Sequence, residues 1–597
     1  MSKWACVALV VSIACAPPRK DVMHAPVVAQ PSPLAADAVA GVTDPALRAA
    51  VAEHWELSMR WAPTWATTLG DHRYDDRLAP RDAASIENMH HERDAILAKL
   101  GAVNVEQLGE SDRVTYQLLR GRLEADQAQD VCKFHEWLVD SSGGSVLGEL
   151  SYLVESHTVK TQDDAENLVS RMKQGGKAVD DTIANLQLGL ADGRVSSAEK
   201  VRRVVEQLDA ELAKPVESWS MMTPSWSEQY PVQQRELAGV VREQIEPALV
   251  RLRDFLRDQV LPKARTDQEG LTGLPDGAAC YRATILNHVG LAMSPEELHE
   301  LGLTLIARSD KELAALGKRV LGTSDLASTI AKLRDDSALY FGSRDELLAA
   351  AQHALDRAKA AIPKFFSLLP KADCVMREVP DYEAPYSTIA YYRQPHYDGT
   401  KPGEYFVNTY KPETRPRYEL EALTWHESIP GHHLQIAIAQ ELGAVPAFRK
   451  LDGSNAFIEG WALYTEWLAD EMGLYSSDLD RLGRVSYDAW RASRLVVDTG
   501  IHAMGWSRAQ AEAFMRAHTA LTAINISNEV DRYIGWPGQA LSYKVGQLEI
   551  LKLRKEAEVQ LGGKFDIKAF HAVVLGVGPV TLPVLDERVR AWIAGAK

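Results

Sequence analysis

Apolar residues recur every three or four positions along nearly the whole chain from Thr43 onward, the spacing that gathers them on one face of an α-helix. Local start signals agree with this period. Thr43-Asp44-Pro45 supplies an N-cap with proline in the first turn, and Ser294-Pro295-Glu296-Glu297 is a capping box leading into Leu298, Leu301 and Leu305. Arg344 to Ala358 sets Leu348, Ala351, Leu355 and Ala358 on one face, and Leu237 to Val260 forms a similar stripe with a kink expected at Pro247. No unit of about 20 to 50 residues repeats, which argues against a solenoid.

Between Cys374 and Tyr410 the period changes. Residues 376–379, 386–392 and 404–408 read as short strands, separated by Pro380, Pro385, Pro395 and Asp398-Gly399. The expected fold class is therefore mainly α: one large helical domain over 44–597, with a small β-sheet near 374–410 just before a helix that starts near Arg415-Pro416. A sheet edge beside that helix would offer unpaired N–H and C=O groups to an extended peptide.

Composition narrows the function classes. The chain has 597 residues, 46% of them hydrophobic, which supplies a large core and excludes disorder. With 66 Lys plus Arg against 82 Asp plus Glu, a net charge of -16 and no basic tract, a nucleic-acid partner is excluded. At the start, Lys3, the apolar run from Trp4 to Ala14 and the small residues before Cys15 form an export signal of the lipoprotein kind. Lipidation is expected at Cys15, followed by a Pro-rich tether over 15–43, so that the membrane is met only through a lipid anchor. A plain secretory signal is the alternative, because Ser12 stands where lipoprotein signals usually carry leucine. Cys132, Cys280 and Cys374 are odd in number and lack CxxC spacing, so no disulfide framework is expected and buried thiols are the default.

The chemistry is concentrated in Leu423-Thr424-Trp425-His426-Glu427-Ser428-Ile429-Pro430-Gly431-His432-His433-Leu434-Gln435. Zinc-binding helices of the HExxH form carry two histidines four apart, with the glutamate beside the first acting as general base. Here Pro430 occupies the position of the second histidine, so the helix must break or bulge. Two ligand assignments follow. With residues looped out around Pro430, His432 returns to face His426; in a nearly straight helix His433 would share its face instead. A third ligand is expected from Asn455-Ala456-Phe457-Ile458-Glu459-Gly460-Trp461-Ala462-Leu463-Tyr464-Thr465-Glu466, where Glu459 and Glu466 lie two turns apart. Glu459 is the preferred ligand, with Gly460 letting the backbone approach the histidine helix, and Glu466 a carboxylate that orients a ligand histidine.

The runs HESIPGHHLQ and FIEGWALYTE, with the later stretch from Asp531 to Gly546 (DRYIGWPGQALSYKVG), resemble the bacterial family called domain of unknown function 885. The resemblance extends from Leu69–Asp76 to Leu582–Leu585, nearly the whole chain after the signal. That family is regarded as zinc-peptidase-like, which implies a single Zn2+ and a helical peptidase fold. More distantly, the sequence is similar to helical peptidases of the angiotensin-converting and thimet oligopeptidase type. In those a glycine precedes the second ligand histidine, which favours Gly431-His432.

These readings combine into one expectation: hydrolysis of short peptides, with His426, His432 and Glu459 holding zinc, a water completing the coordination and Glu427 taking its proton. Tyr543 and Arg532 are the candidates to stabilise the carbonyl oxygen as it becomes negative. Asn408, Tyr533, Gln539 and Lys544 are candidate substrate contacts, the last two for a substrate carboxylate, and Tyr405 and Tyr410 flank Asn408 on the strand before the helix. A cell-wall peptide amidase with the same centre and a non-catalytic peptide-binding lipoprotein are the alternatives. Oligomeric state is not encoded in any of these signals.

Overall fold

The computed structural model of the protein describes residues 32, 34–140, 145–222, 224–380, 384, 388–397, 399 and 401–596. The export signal and Cys15 lie outside the described residues. The fold is mainly α, with a three-stranded sheet. The capping signals hold: Asp44 accepts from the Leu47 N–H at 2.8 Å to start Pro45–Trp61, and Ser294 and Glu297 cap each other at the start of Pro295–Leu321. On Arg344–Ala361 the buried face is Leu347, Ala351, Ala354, Leu355 and Ala358, so Leu348 lies at the margin of the stripe. Ahead of Pro247 the chain widens into a π-type turn over Val241–Ile245, which accommodates a residue with no N–H to donate.

Two expectations are corrected. The tether gives way to packed chain earlier than position 43. Ser32 donates to Asp71 at 2.7 Å, and Ala38, Val39 and Val42 are buried against the first long helix. Cys132 and Cys280 are not separate thiols but a disulfide, with Cα atoms 4.7 Å apart, joining two segments 148 residues distant in sequence. Only Cys374 is a free buried thiol among the described residues. Odd cysteine number misled because one thiol is simply left over.

The sheet has strands β1 (Cys374–Glu378), β2 (Ala390–Arg393) and β3 (Gly403–Val407) in the order β1-β3-β2. β3 pairs parallel with β1 and antiparallel with β2, so Tyr405 sits between Met376 and Tyr392. The predicted strands fall within a few residues of these; Tyr386 lies outside the described residues. The strand preceding the histidine helix is thus central, and a peptide could pair only with β1 or β2.

Four helices frame the centre. They are α1 (Arg417–Glu427), α2 (His432–Gln440), α3 (Asn455–Glu471) and α4 (Asp478–Ala503), with α5 (Ala523–Gly535) and α6 (Ser542–Leu561) closing it from the C-terminal side. α1 packs on both α3 and α4, and α3 lies along α6. Trp425, Phe457 and Trp461 from α1 and α3 are fully buried beneath the centre, so the helices that carry the chemistry are fixed by the largest apolar side chains of the core.

Candidate metal centre

The helical pattern stops at Glu427 and resumes at His432. Ser428 and Gly431 leave helical geometry, with φ/ψ of -107/-112° and -77/-126°. The Ile429–Pro430 peptide is cis. A Cβ on Gly431 would lie 2.0 Å from the His426 carbonyl oxygen and 2.3 Å from that of Trp425, so only glycine fits against the end of α1. Trp461 of α3 donates its indole N–H to the Pro430 carbonyl at 3.0 Å and anchors the break.

This break directs the two adjacent histidines to different places. His432 faces Glu459, its Nε2 lying 3.5 Å from Glu459 Oε2, while His426 Nε2 is 3.7 Å from the same oxygen. The imidazoles of His426 and His432 stand nearly perpendicular, with centroids 4.8 Å apart. His433 turns toward the sheet. Its Nε2 donates to the Ala372 carbonyl at 3.1 Å, so its Nδ1 accepts from the Tyr392 hydroxyl at 2.9 Å. Burial lowers its pKa to about 4, and it stays neutral. His433 is a strut between α2 and the sheet.

His426 is gripped on both ring nitrogens by one helix. Glu459 faces Nε2, and Glu466, seven residues further along α3, accepts from Nδ1–H at 2.7 Å. Both carboxylates of α3 thus lie against His426, but Gly460, contrary to expectation, does not face α1. A Cβ there would lie 2.4 Å from the Gly546 carbonyl carbon, and one on Gly546 would lie 1.7 Å from the Ala456 carbonyl oxygen. The two glycines let α3 and α6 touch backbone to backbone, near the end of α6 that carries Tyr543.

The group can be tested for fit to a metal ion. One ligand atom from each of His426, His432 and Glu459 lies within 4.8 Å of the others. An ion held tetrahedrally at roughly 2.0–2.2 Å separates neighbouring ligand atoms by about 3.4 Å, close to the two separations from Glu459 Oε2. That oxygen is buried and, apart from the two imidazoles that face it, has no partner among the described residues, so it lacks a hydrogen bond of ordinary length and aim. The two-nitrogen, one-oxygen donor set suits zinc. Without an ion, burial works against charge on His426, yet Glu459 and Glu466 raise its pKa to about 9, and the histidines in turn hold Glu459 well below the usual carboxylate range.

Glu427 is adjacent but is not one of this group. Burial raises its pKa, opposed by His426 and His432, which leaves a carboxylate disposed to take up a proton.

The remaining candidates divide. Burial raises the pKa of Tyr543, and the Glu459 carboxylate adds to this, so the phenol and the centre share one electrostatic environment. Arg532 donates to its oxygen at 3.4 Å and also to Gln539, which acts as a bracket for that arginine and is itself buried. Three expected substrate contacts are fully occupied by the protein. Asn408 donates to the carbonyls of Ala384 and Thr388 at 2.8 and 2.9 Å and accepts from Tyr410 N–H, joining the segment that leads into β2 to the chain just after β3. Tyr533 is buried and donates to Glu529 at 2.6 Å, and Lys544 is buried against Asp488 and Gln547. Tyr405, also buried, ties the sheet to α1 through Thr424 at 3.1 Å. Tyr410 is exposed.

The sequence matches, over residues 63–589, the family described as bacterial protein of unknown function (DUF885). The chain belongs to that family. A solved structure from Colwellia psychrerythraea, described as a candidate lipoprotein, shares this DUF885 chain's fold with a TM-score of 0.85 at 25% identity, covering 92% of this chain and 99% of its own. A second, from Shewanella oneidensis and described as a candidate lipoprotein of unknown function, has a TM-score of 0.69 at 21% identity over 91% and 98%. No curated protein is a significant match.

Two neighbours of the candidate site were missed from sequence. Arg491 of α4 lies 4.0 Å from Glu466 and Arg494 lies over the Tyr543 ring at 4.3 Å, although both stand in an apolar run, Ala489-Trp490-Arg491-Ala492-Ser493-Arg494-Leu495-Val496-Val497. Two arginines one turn apart on a buried face are the signal that would have flagged them.

Proposed function

We propose that this protein is an exported, lipid-anchored metallopeptidase that hydrolyses short peptides. The observation that carries the reading is the convergence of His426, His432 and Glu459 beside an uncommitted, proton-seeking Glu427. A divalent ion held by the first three would polarise the attacking water and the scissile carbonyl. Glu427 takes the proton from that water and passes it to the leaving amine. The Tyr543 hydroxyl donates to the carbonyl oxygen as negative charge gathers there. Glu466 fixes the ring of His426 from behind so that Nε2 keeps its aim.

Export rests on the Lys3 to Cys15 signal, on the lipoprotein descriptions given to both solved relatives, and on the Cys132–Cys280 disulfide, a bond that persists in oxidising compartments. No helix among the described residues is long and apolar enough to cross a membrane.

The test is digestion of a peptide library by the purified full chain, read by mass spectrometry. Cleavage abolished by a chelator and restored by Zn2+ is the expected result. Zinc-loaded protein that cleaves no peptide, or cleavage that a chelator leaves untouched, would overturn the reading.

A further inference from the structure

Beside the metal group, α4 and α5 bring together three guanidinium groups and one carboxylate. Arg491 and Arg494 have side chains only 5% and 4% exposed, while Arg532 at 28% is partly open to solvent. Glu529 pairs with Arg494 at 3.0 Å and with Arg532 at 3.4 Å, and is held to a pKa of about 2; burial works against this, and the two arginines prevail. Arg491 has no such partner. Its Nε and Nη1, like Nη1 of Arg494, are buried without a hydrogen-bond partner among the described residues. The nearest carboxylate, Glu466, is 4.0 Å from Nη2 and is already engaged with His426 at 2.7 Å.

Aromatic faces fix these cations in place. Arg491 lies over Trp490 and Tyr487 at 4.1 and 4.5 Å, and Arg494 over Trp490 and Tyr543 at 4.6 and 4.3 Å. Stacking orients a guanidinium but leaves its in-plane N–H donors unsatisfied, and a buried charged donor without an acceptor is costly. Glu466 thus lies between Arg491 and the ring of His426, and Arg494 lies over the Tyr543 ring, so the two cations stand beside the metal group rather than in a remote patch. A planar, two-oxygen anion matches such donors.

We infer that Arg491, with Arg494, forms an anion site that receives the free C-terminal carboxylate of a peptide whose scissile bond lies at the metal group. This rests on the peptidase reading and sharpens it: cleavage occurs near the C-terminus, and the Arg491 and Arg494 pair fills the role expected of Gln539 and Lys544. Arg532, hydrogen-bonded to Gln539 and Tyr543 and the most exposed of the three, is the cation an approaching acidic peptide end meets first.

The test pairs trialanine with its C-terminal amide. Each is titrated calorimetrically into zinc-loaded full-length protein carrying Glu427→Gln, in which binding is read without turnover. The free acid is expected to bind at least about tenfold tighter than the amide, the yield of one charge-assisted hydrogen-bonded pair. Arg491→Gln on that background is expected to erase the difference, and Arg494→Gln to reduce it. Equal binding of acid and amide, or a preference that survives Arg491→Gln in folded protein, overturns the site. Wild-type cleavage of acid and amide at equal rates would sink the carboxylate site and leave the peptidase reading standing. A tenfold binding preference with no cleavage of either would do the reverse.

Discussion

His426, Glu427, His432 and His433 span eight residues and are proposed to fill three different roles, which only local geometry separates. The sequence identified the cluster because three histidines and a glutamate are rarely so close without a shared task. It left the choice between His432 and His433 to the shape of the chain at Pro430, which depends on whether Gly431 can tuck against the α1 carbonyls. Substrate contacts were less legible. Asn408, Tyr533 and Lys544 have the chemistry of ligand-binding groups, but nothing in sequence tells that the segment leading into β2, Glu529 and Asp488 consume it. At this scale the account predicts that Glu427→Gln retains metal, with kcat reduced by about 10²–10⁴, the usual share of a general base. Metal analysis beside steady-state kinetics checks it, and a variant that loses its metal would show Glu427 to be a ligand.

Helices were the easiest elements to anticipate, since capping residues and a 3.6-residue period are local properties. How helices meet was not. The contact of α3 with α6 depends on Gly460 and Gly546, 86 positions apart by their numbers, and a lone glycine inside a helical pattern carries no address for its partner. Gly546→Ala should force the α3 and α6 backbones apart, because its Cβ would overlap the Ala456 carbonyl oxygen. The expected cost is about 1–3 kcal/mol, as for other overpacked cores. Thermal melts should show it as a lower Tm, together with a fall in kcat as Tyr543 withdraws from the centre. An unchanged Tm would contradict the close approach of the two helices.

For the whole molecule, two features outside the centre govern stability. The Cys132–Cys280 bond closes a loop of 148 residues, and removing it by Cys280→Ser should destabilise the fold by about 2–5 kcal/mol, measured by urea unfolding under non-reducing conditions. Equal midpoints for the two proteins would rule out that contribution. Burial also keeps a set of histidines neutral: His54, His288, His433 and His502 have pKa values lowered to about 4, and His571 to about 3. An unfolded chain takes up these protons near pH 6.5 and the folded one does not. Their contribution is therefore present above about pH 6.5 and is lost progressively as pH falls toward 4. Unfolding midpoints at pH 7 and pH 5 should differ accordingly, the lower pH being less stable, and the opposite order would contradict it. The central claim is that the broken helix aims His426 and His432, with Glu459, at one ion. Its most direct test is zinc stoichiometry in purified wild-type, His432→Ala and His433→Ala proteins. The account predicts one ion per chain in wild type and in His433→Ala and none in His432→Ala; zinc retained in His432→Ala, or absent from wild type dialysed against Zn2+, would contradict it.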